Sequence, residues 1–259
     1  MARDDDMPSP ATDRDRALTG RRVLVTGASS GIGEATARAL AAAGARVAVL
    51  ARRAPRLEAL AAELGGVAVV ADITDDAAAV AAVDEAAAAL GGLDALVNSA
   101  GLMQPGPVGD TDPASWRATF DLNVIALLVV TKAAIRHLAD GTDPTVVNIS
   151  SMSGRRVPGP DGGVYAASKF AVHALGESLR QELGPDGIRV TTVAPGFVRT
   201  PIFERAEGDD DEVTASYRER NATLGLDAAR VADAVCHVLA QPAEVTVVEL
   251  ALTPSAQQH

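Results

Sequence analysis

Tyr165 and Lys169 lie four apart in Tyr165-Ala166-Ala167-Ser168-Lys169, and on a helix that spacing puts both side chains on one face. An ammonium held beside a phenol favours the phenolate, so a group with an ordinary pKa of about 10 becomes usable as an acid or base nearer neutrality. The pair Ser150-Ser151 precedes them, and Ser151 is placed to hydrogen-bond a carbonyl or alcohol oxygen. Far upstream, an apolar run ends in Thr26-Gly27-Ala28-Ser29-Ser30-Gly31-Ile32-Gly33. Glycines there let the backbone turn sharply and approach a pyrophosphate, whose charge meets the free N–H groups of the following helix. A proton donor, a hydroxyl and a phosphate cradle in one chain point to hydride transfer to or from a nicotinamide.

These groups need a frame. Short β-type runs alternate with Ala-rich helical segments from about residue 20 onward, the pattern of a parallel sheet covered on both faces. Strands are expected at 22–26, 46–50, 67–71, 93–98, 145–150, 188–194 and 245–250, and helices at 31–43, 55–64, 75–90, 113–138, 164–183 and 227–240. The fold class that follows is α/β: one doubly wound domain of the Rossmann type over residues 18–259, with a seven-stranded parallel sheet and helices on both faces. Right-handed crossovers then bring the C-terminal ends of the strands to one edge, where the site forms. Residues 1–17 mix acids, arginines and prolines without an apolar stretch and read as a loose tail, neither signal peptide nor anchor. The charged segment after Thr200, PIFERAEGDDDEVTASYRER, breaks the alternation and reads either as an insertion over the site or as a solvated acidic loop.

A net charge of −11 disfavours nucleic acid as a partner, since no basic patch is on offer to match phosphates. No uninterrupted apolar run reaches the roughly 18 residues that span a bilayer. The single cysteine, Cys236, excludes an intrachain disulfide and fits a reducing cytoplasm. His137, His173, His237 and His259 show no metal-ligand spacing.

The nucleotide site is built from the turn residues Gly27, Ser29, Ser30, Gly31, Ile32 and Gly33. About twenty residues on, a binder of the unphosphorylated cofactor presents a carboxylate to the ribose 2′-OH, whereas this chain has Ala51-Arg52-Arg53. Guanidinium groups there grip a 2′-phosphate, so NADP is the expected cofactor, with Ser29 adding a hydroxyl. The other reading makes Arg52 and Arg53 the solvated start of the next helix. Asp72, with Ile73 beside it, is placed to accept from the adenine amino group or else to cap the helix after Thr74. Asn98-Ser99-Ala100-Gly101 ends the fourth strand, where small residues let the cofactor lie against the backbone, and Pro195, Gly196, Val198 and Thr200 border the nicotinamide.

TGASSGIG, NSAG, Asn123 within LNVIA, NISS, YAASK and PGFVRT occur in order and spacing such that the chain resembles the short-chain dehydrogenase/reductase family over nearly its whole length after residue 20. The ARR after the second strand, the region from GLMQPGPV and the tail VTVVELALTP are similar to the NADP-dependent 3-hydroxy acid dehydrogenase and clavulanate-type aldehyde reductase subgroup. The resemblance implies that Tyr165 is the general acid in reduction and the general base in oxidation. It implies that Lys169 lowers the pKa of Tyr165 and bonds the nicotinamide ribose, that Ser151 orients the carbonyl oxygen, and that Asn123 holds a water in a proton relay toward Lys169. The serine-to-tyrosine spacing is one residue longer than in many relatives, which keeps Ser150 and Ser153 as alternatives to Ser151. Ser99 stands where the family pattern has a second asparagine and reaches less far. The resemblance also implies a homo-oligomer, tetramer or dimer, built through the long helices.

Arg155 and Arg156 lie between Ser151 and Tyr165 and read either as ligands for a substrate carboxylate or as surface arginines on a Pro/Gly-rich loop. Met103, Trp116 and Phe120 read as packing residues. The expected reaction is oxidation of a small hydroxy acid or reduction of a small polar aldehyde or ketone. The alternatives are reduction of a 3-oxoacyl thioester or polyketide-like ketone, weakened by the missing C-terminal Asp-Gly-Gly, and a non-catalytic NADP-sensing regulator.

Overall fold

The computed structural model describes residues 18–203 and 212–257. The tail expected at 1–17 and the acidic stretch 204–211 lie outside the described residues. Seven parallel strands form the sheet: β1 (Arg22–Thr26), β2 (Arg46–Ala51), β3 (Val67–Val70), β4 (Ala95–Asn98), β5 (Thr145–Ile149), β6 (Arg189–Pro195) and β9 (Glu249–Leu252), in the order β3-β2-β1-β4-β5-β6-β9. Alternation within a strand sends side chains to both faces, and both are apolar. Leu24 of β1 joins Leu96, Val146 and Val190 on one side, while Val23 and Val25 join Val97 and Val147 on the other.

Helices α3 (Asp76–Leu90), α5 (Leu127–Leu138) and α6 (Gly163–Leu183) cover the first face. Helices α1 (Gly31–Ala42), α2 (Ala54–Leu64) and α8 (Ala228–Leu239) cover the second. Aspartates start several of them: the Asp75 carboxylate accepts from Ala78 N at 2.9 Å and that of Asp227 from Ala229 N at 2.9 Å.

The long helix expected at 113–138 is present but carries an irregularity. It runs as α4 (Pro113–Phe120), a π turn (Asp121–Ala126) and α5. Such π turns recur at functional sites because they rotate the following side chains off the α-helical register. Pro113–Leu138 is long and apolar enough to cross a membrane, yet half of its most apolar stretch is buried in the molecule, as a helix packed on a sheet must be. Charged Arg117, Asp121, Lys132 and Arg136 interrupt it, which is why the sequence shows no uninterrupted run.

Two boundaries differ from expectation for physical reasons. The last strand starts at Glu249 rather than residue 245. Before it, the Val245 carbonyl accepts from the buried Arg189 guanidinium at 2.9 Å and the Val247 carbonyl from Thr191 Oγ1 at 2.6 Å, so side chains hold this segment before the ladder begins at Thr192↔Glu249. The segment after Thr200 is not a plain loop. A short 3-10 turn (Pro201–Phe203) is followed beyond the undescribed stretch by helix α7 (Glu212–Leu224). Strand β7 (Val198–Arg199) then pairs with β8 (Leu226–Asp227), tying α7 down at its far end.

Candidate active site

The strand order reverses between β1 and β4, and the two strands end together. Thr26 Oγ1 accepts from Ser99 N at 3.1 Å and from Ala100 N at 3.2 Å, lashing the strand ends to each other. Gly27 adopts φ +66°, and a Cβ there would lie 2.7 Å from Ala100 Cα. At Gly33 a Cβ would meet the Gly27 carbonyl oxygen at 2.6 Å. Only glycine permits this turn, which brings the N-terminus of α1 onto the floor of a cavity of roughly 710 Å³. A dinucleotide fits such a floor: free helix N–H groups, no side chain in the way, and a cleft in the upper range of ligand sites.

Ser29, Ser30, Gly31, Ile32, Arg52, Arg53, Asp72, Ile73, Ala100, Gly101, Pro195, Gly196, Val198 and Thr200 all line this cavity. The two arginines divide their work. Arg53 donates through Nε (3.1 Å) and Nη2 (2.8 Å) to Ser29 Oγ, bracing the glycine turn. Arg52 is exposed and its Nη1 lies 3.3 Å from Asp72 Oδ2. Asp72 is not the helix cap, since Asp75 starts α3. Its carboxylate accepts instead from Thr74 N at 3.1 Å and Thr74 Oγ1 at 2.7 Å. Desolvation works to raise its pKa, but these bonds and Arg52 prevail and hold it below the ordinary carboxylate value.

Two expectations, for Asn98 and Asn123, are corrected. Asn98 does not face the cavity; its Nδ2 donates to Thr131 Oγ1 and Asn148 Oδ1, both at 2.9 Å, inside the core. Ser99, as its shorter reach implies, does not replace the missing amide as a brace: its hydroxyl is buried without a partner. Asn123 is buried and off the cavity wall. Its Oδ1 accepts from Leu102 N at 2.8 Å, and its Nδ2 donates to Leu102 O at 2.9 Å and Ser168 Oγ at 3.0 Å. The amide thereby has no free donor to offer a relay, and the side chain works as a brace between the π turn, the strand end and α6.

Ser151, Tyr165 and Lys169 converge at the other end of the cavity. Ser151 is the second residue past the end of β5, and its hydroxyl bonds that of Tyr165. Ser150 is excluded as an alternative because its hydroxyl turns away and donates to Lys169 O at 3.2 Å. Ser153 lines the cavity, but its N–H donates to Ser151 Oγ at 3.0 Å and so positions Ser151. Lys169 Nζ donates to the Ile149 carbonyl at 3.0 Å and stands 5.8 Å from the Tyr165 ring centroid. Burial pushes Lys169 down to about 8. Tyr165 is pushed up to about 12 by burial, against the lowering bond from Ser151. The lowering of Tyr165 that the resemblance implies is not seen in the protein alone, where desolvation, which disfavours both charged forms, sets the direction of both shifts.

Of the two loop arginines, Arg156 lines the cavity, whereas Arg155 pairs with Glu249 at 3.2 Å outside it. Met103, expected only to pack, is a cavity wall together with Phe203 and Tyr217. Sequence reasoning also missed Gln257, whose Oε1 accepts from Phe197 N at 3.0 Å, and the α7 residues Tyr217, Arg220 and Asn221. The signal was present as Thr214, Tyr217 and Asn221, spaced three and four apart in an otherwise charged run.

Residues 21–211 match the family described as short chain dehydrogenase. The chain belongs to that family. An uncharacterized oxidoreductase of Mycobacterium tuberculosis is 43% identical over 242 residues, 92% of this chain and 93% of its own. The crystal structure of a short chain dehydrogenase from Burkholderia cenocepacia J2315 in complex with NADP superposes with a TM-score of 0.81 at 36% identity, covering 92% of this chain and 98% of that one. The closed form of a serine dehydrogenase complexed with NADP+ gives a TM-score of 0.81 at 29% identity, covering 92% and 96%. This short-chain dehydrogenase is accordingly an oxidoreductase, with its Gly27 turn, Ser151, Tyr165 and Lys169 on one cavity.

Proposed function

We propose that this short-chain dehydrogenase moves hydride reversibly between NADP(H) and a small hydroxy acid or the corresponding aldehyde or ketone. The observation that carries the reading is the convergence of Ser151, Tyr165 and Lys169 in the same cavity as the Gly27 turn and Arg52. The glycine turn, braced by Arg53, would hold the pyrophosphate, Arg52 the 2′-phosphate, Asp72 and Ile73 the adenine, and the Pro195–Thr200 stretch the nicotinamide. The bound nicotinamide supplies or accepts the hydride. NADP is favoured over NAD because β2 ends in Ala51-Arg52-Arg53 with no carboxylate to repel a phosphate, and the Burkholderia relative was crystallised with NADP.

The protein contributes position, proton and charge. Ser151 donates to the substrate oxygen and fixes it beside Tyr165. Tyr165, protonated at neutral pH because burial holds its pKa near 12, gives its proton to the carbonyl oxygen in reduction and takes it back in oxidation. Lys169, reaching Ile149 O, keeps a cation within 5.8 Å of the ring, where it stabilises the phenolate left behind.

A homo-oligomer belongs to the same reading, supported by exposed Phe120, Ile125 and Phe170 on the long helices. So does a cytoplasmic location, which rests on the lone Cys236, an unreactive thiol pushed up to about 11 by burial. The deciding experiment follows absorbance of the reduced nicotinamide for wild type and Tyr165→Phe, alongside NADPH binding by fluorescence. Turnover should collapse by at least about 100-fold in the variant while binding persists. Unchanged turnover refutes the mechanism, and binding without turnover in the wild type favours a nucleotide sensor.

A further inference from the structure

We propose that Arg220, on the cavity face of α7, binds a carboxylate on a substrate whose body is apolar. The inference rests on the proposed hydride transfer and narrows its substrate from a small polar compound to an amphipathic hydroxy or oxo acid.

The wall around the reacting hydroxyl is apolar. Tyr165 belongs to one cluster with Met103, Phe203 and Tyr217, and the last two rings stack with centroids 5.6 Å apart. A small hydrophilic substrate would leave that wall facing water, whereas an aliphatic or aromatic substituent buries it. Helix α7 presents Tyr217, Arg220 and Asn221 to the cavity, the i, i+3, i+4 spacing of one helical face. Its placement is fixed on two sides: Asn221 Nδ2 donates to Thr200 O at 3.2 Å, and Arg218 Nη2 donates to Phe203 O at 3.0 Å.

The charge sits beside that wall. The Arg220 guanidinium lies 5.0 Å from the Phe197 ring centroid, next to the Pro195-Gly196 bend. No carboxylate pairs with it among the described residues, although Arg155, Arg199 and Arg230 nearby in sequence or fold each have one. In a chain of net charge −11, a substrate anion is repelled at long range, so a guanidinium on the cavity with no carboxylate partner among the described residues provides the local attraction an acid needs. Arg156, on the opposite loop, faces the same space.

The test is a matched pair that differs only in the carboxylate: 3-hydroxy-3-phenylpropanoate and 1-phenylpropan-1-ol, oxidised with NADP+ by wild type, Arg220→Gln, Arg220→Lys and the control Arg155→Gln. Wild type should prefer the acid, and should prefer it also over 3-hydroxybutanoate, which lacks the ring. In Arg220→Gln the acid-to-alcohol ratio of kcat/KM should fall at least about 10-fold through KM, with partial rescue by lysine. Arg155→Gln should keep the wild-type ratio, because its partner Glu249 lies outside the cavity. A wild type that prefers the alcohol, or an Arg220→Gln that lowers both substrates equally, overturns the inference. Absence of turnover with NADPH still bound also overturns it, whereas failure to bind NADPH at all refutes the underlying function instead.

Discussion

Lys169→Met should make the nucleotide-free protein more stable at neutral pH while abolishing its chemistry. Lys169 is buried, and burial holds its pKa near 8, against an ordinary 10.5. The folded protein therefore holds this proton more weakly than the unfolded chain does. Between about pH 8 and 10.5 the unfolded chain binds more protons, so stability rises with pH through that window, and the full penalty of the buried charge is present below it. The gap corresponds to about 3 kcal/mol. Methionine removes the charge at nearly the same volume, and it also removes the 3.0 Å bond to the Ile149 carbonyl, a loss of about 1 kcal/mol. The variant should thus gain about 2 kcal/mol near pH 7 and nothing near pH 10, where wild-type Lys169 is neutral. Tyr165, pushed up to about 12, titrates in both proteins and cancels in the comparison. Urea unfolding at the two pH values measures the difference directly. A variant less stable than wild type near pH 7, or a difference that does not change with pH, refutes the reasoning. The predicted gain identifies Lys169 as a place where stability is given up for function.

Two further predictions address the nucleotide end. Gly27→Ala places a Cβ 2.7 Å from Ala100 Cα at φ +66°, whereas Gly65→Ala, also at positive φ, meets nothing within 4 Å. The first should lose about 3 kcal/mol or more in urea unfolding together with NADPH binding, and the second about 1 kcal/mol with binding intact. Equal losses would dismiss the close-approach argument. Arg52→Gln should lower the NADP-to-NAD ratio of kcat/KM about 10-fold, since it removes a cation at the cavity without disturbing the turn. Arg53→Gln should lower both cofactors, because it releases Ser29; a purely NADP-selective loss there would show that Arg53 is not a brace.

The order of strands and helices, the glycine turn and the Ser151, Tyr165 and Lys169 cluster were legible in the chain because each depends on local rules. Apolar runs such as RVLVT demand a strand buried on both faces, a left-handed turn demands Gly27, and a four-residue spacing puts Tyr165 and Lys169 on one face of α6. Even the π turn around Asn123 lies within a helix whose existence was plain from its apolar pattern. What a residue faces is a different matter. Asn98 carries an amide suited to a cofactor and Asn123 one suited to a water relay, yet packing turns both inward, and nothing adjacent to them in sequence records that. Arg155 and Arg156 are neighbours in the chain, but only the fold gives one a carboxylate partner and the other the cavity. Helix α7 was obscured because its cavity face is defined by elements distant in sequence, Thr200 and Phe203 on one side and Phe197 on the other. Protonation was decided last of all. Sequence spacing determined that Lys169 meets Tyr165, while the tertiary structure determined that both are desolvated. Burial penalises each charged form, and in the protein alone it raises Tyr165 and lowers Lys169.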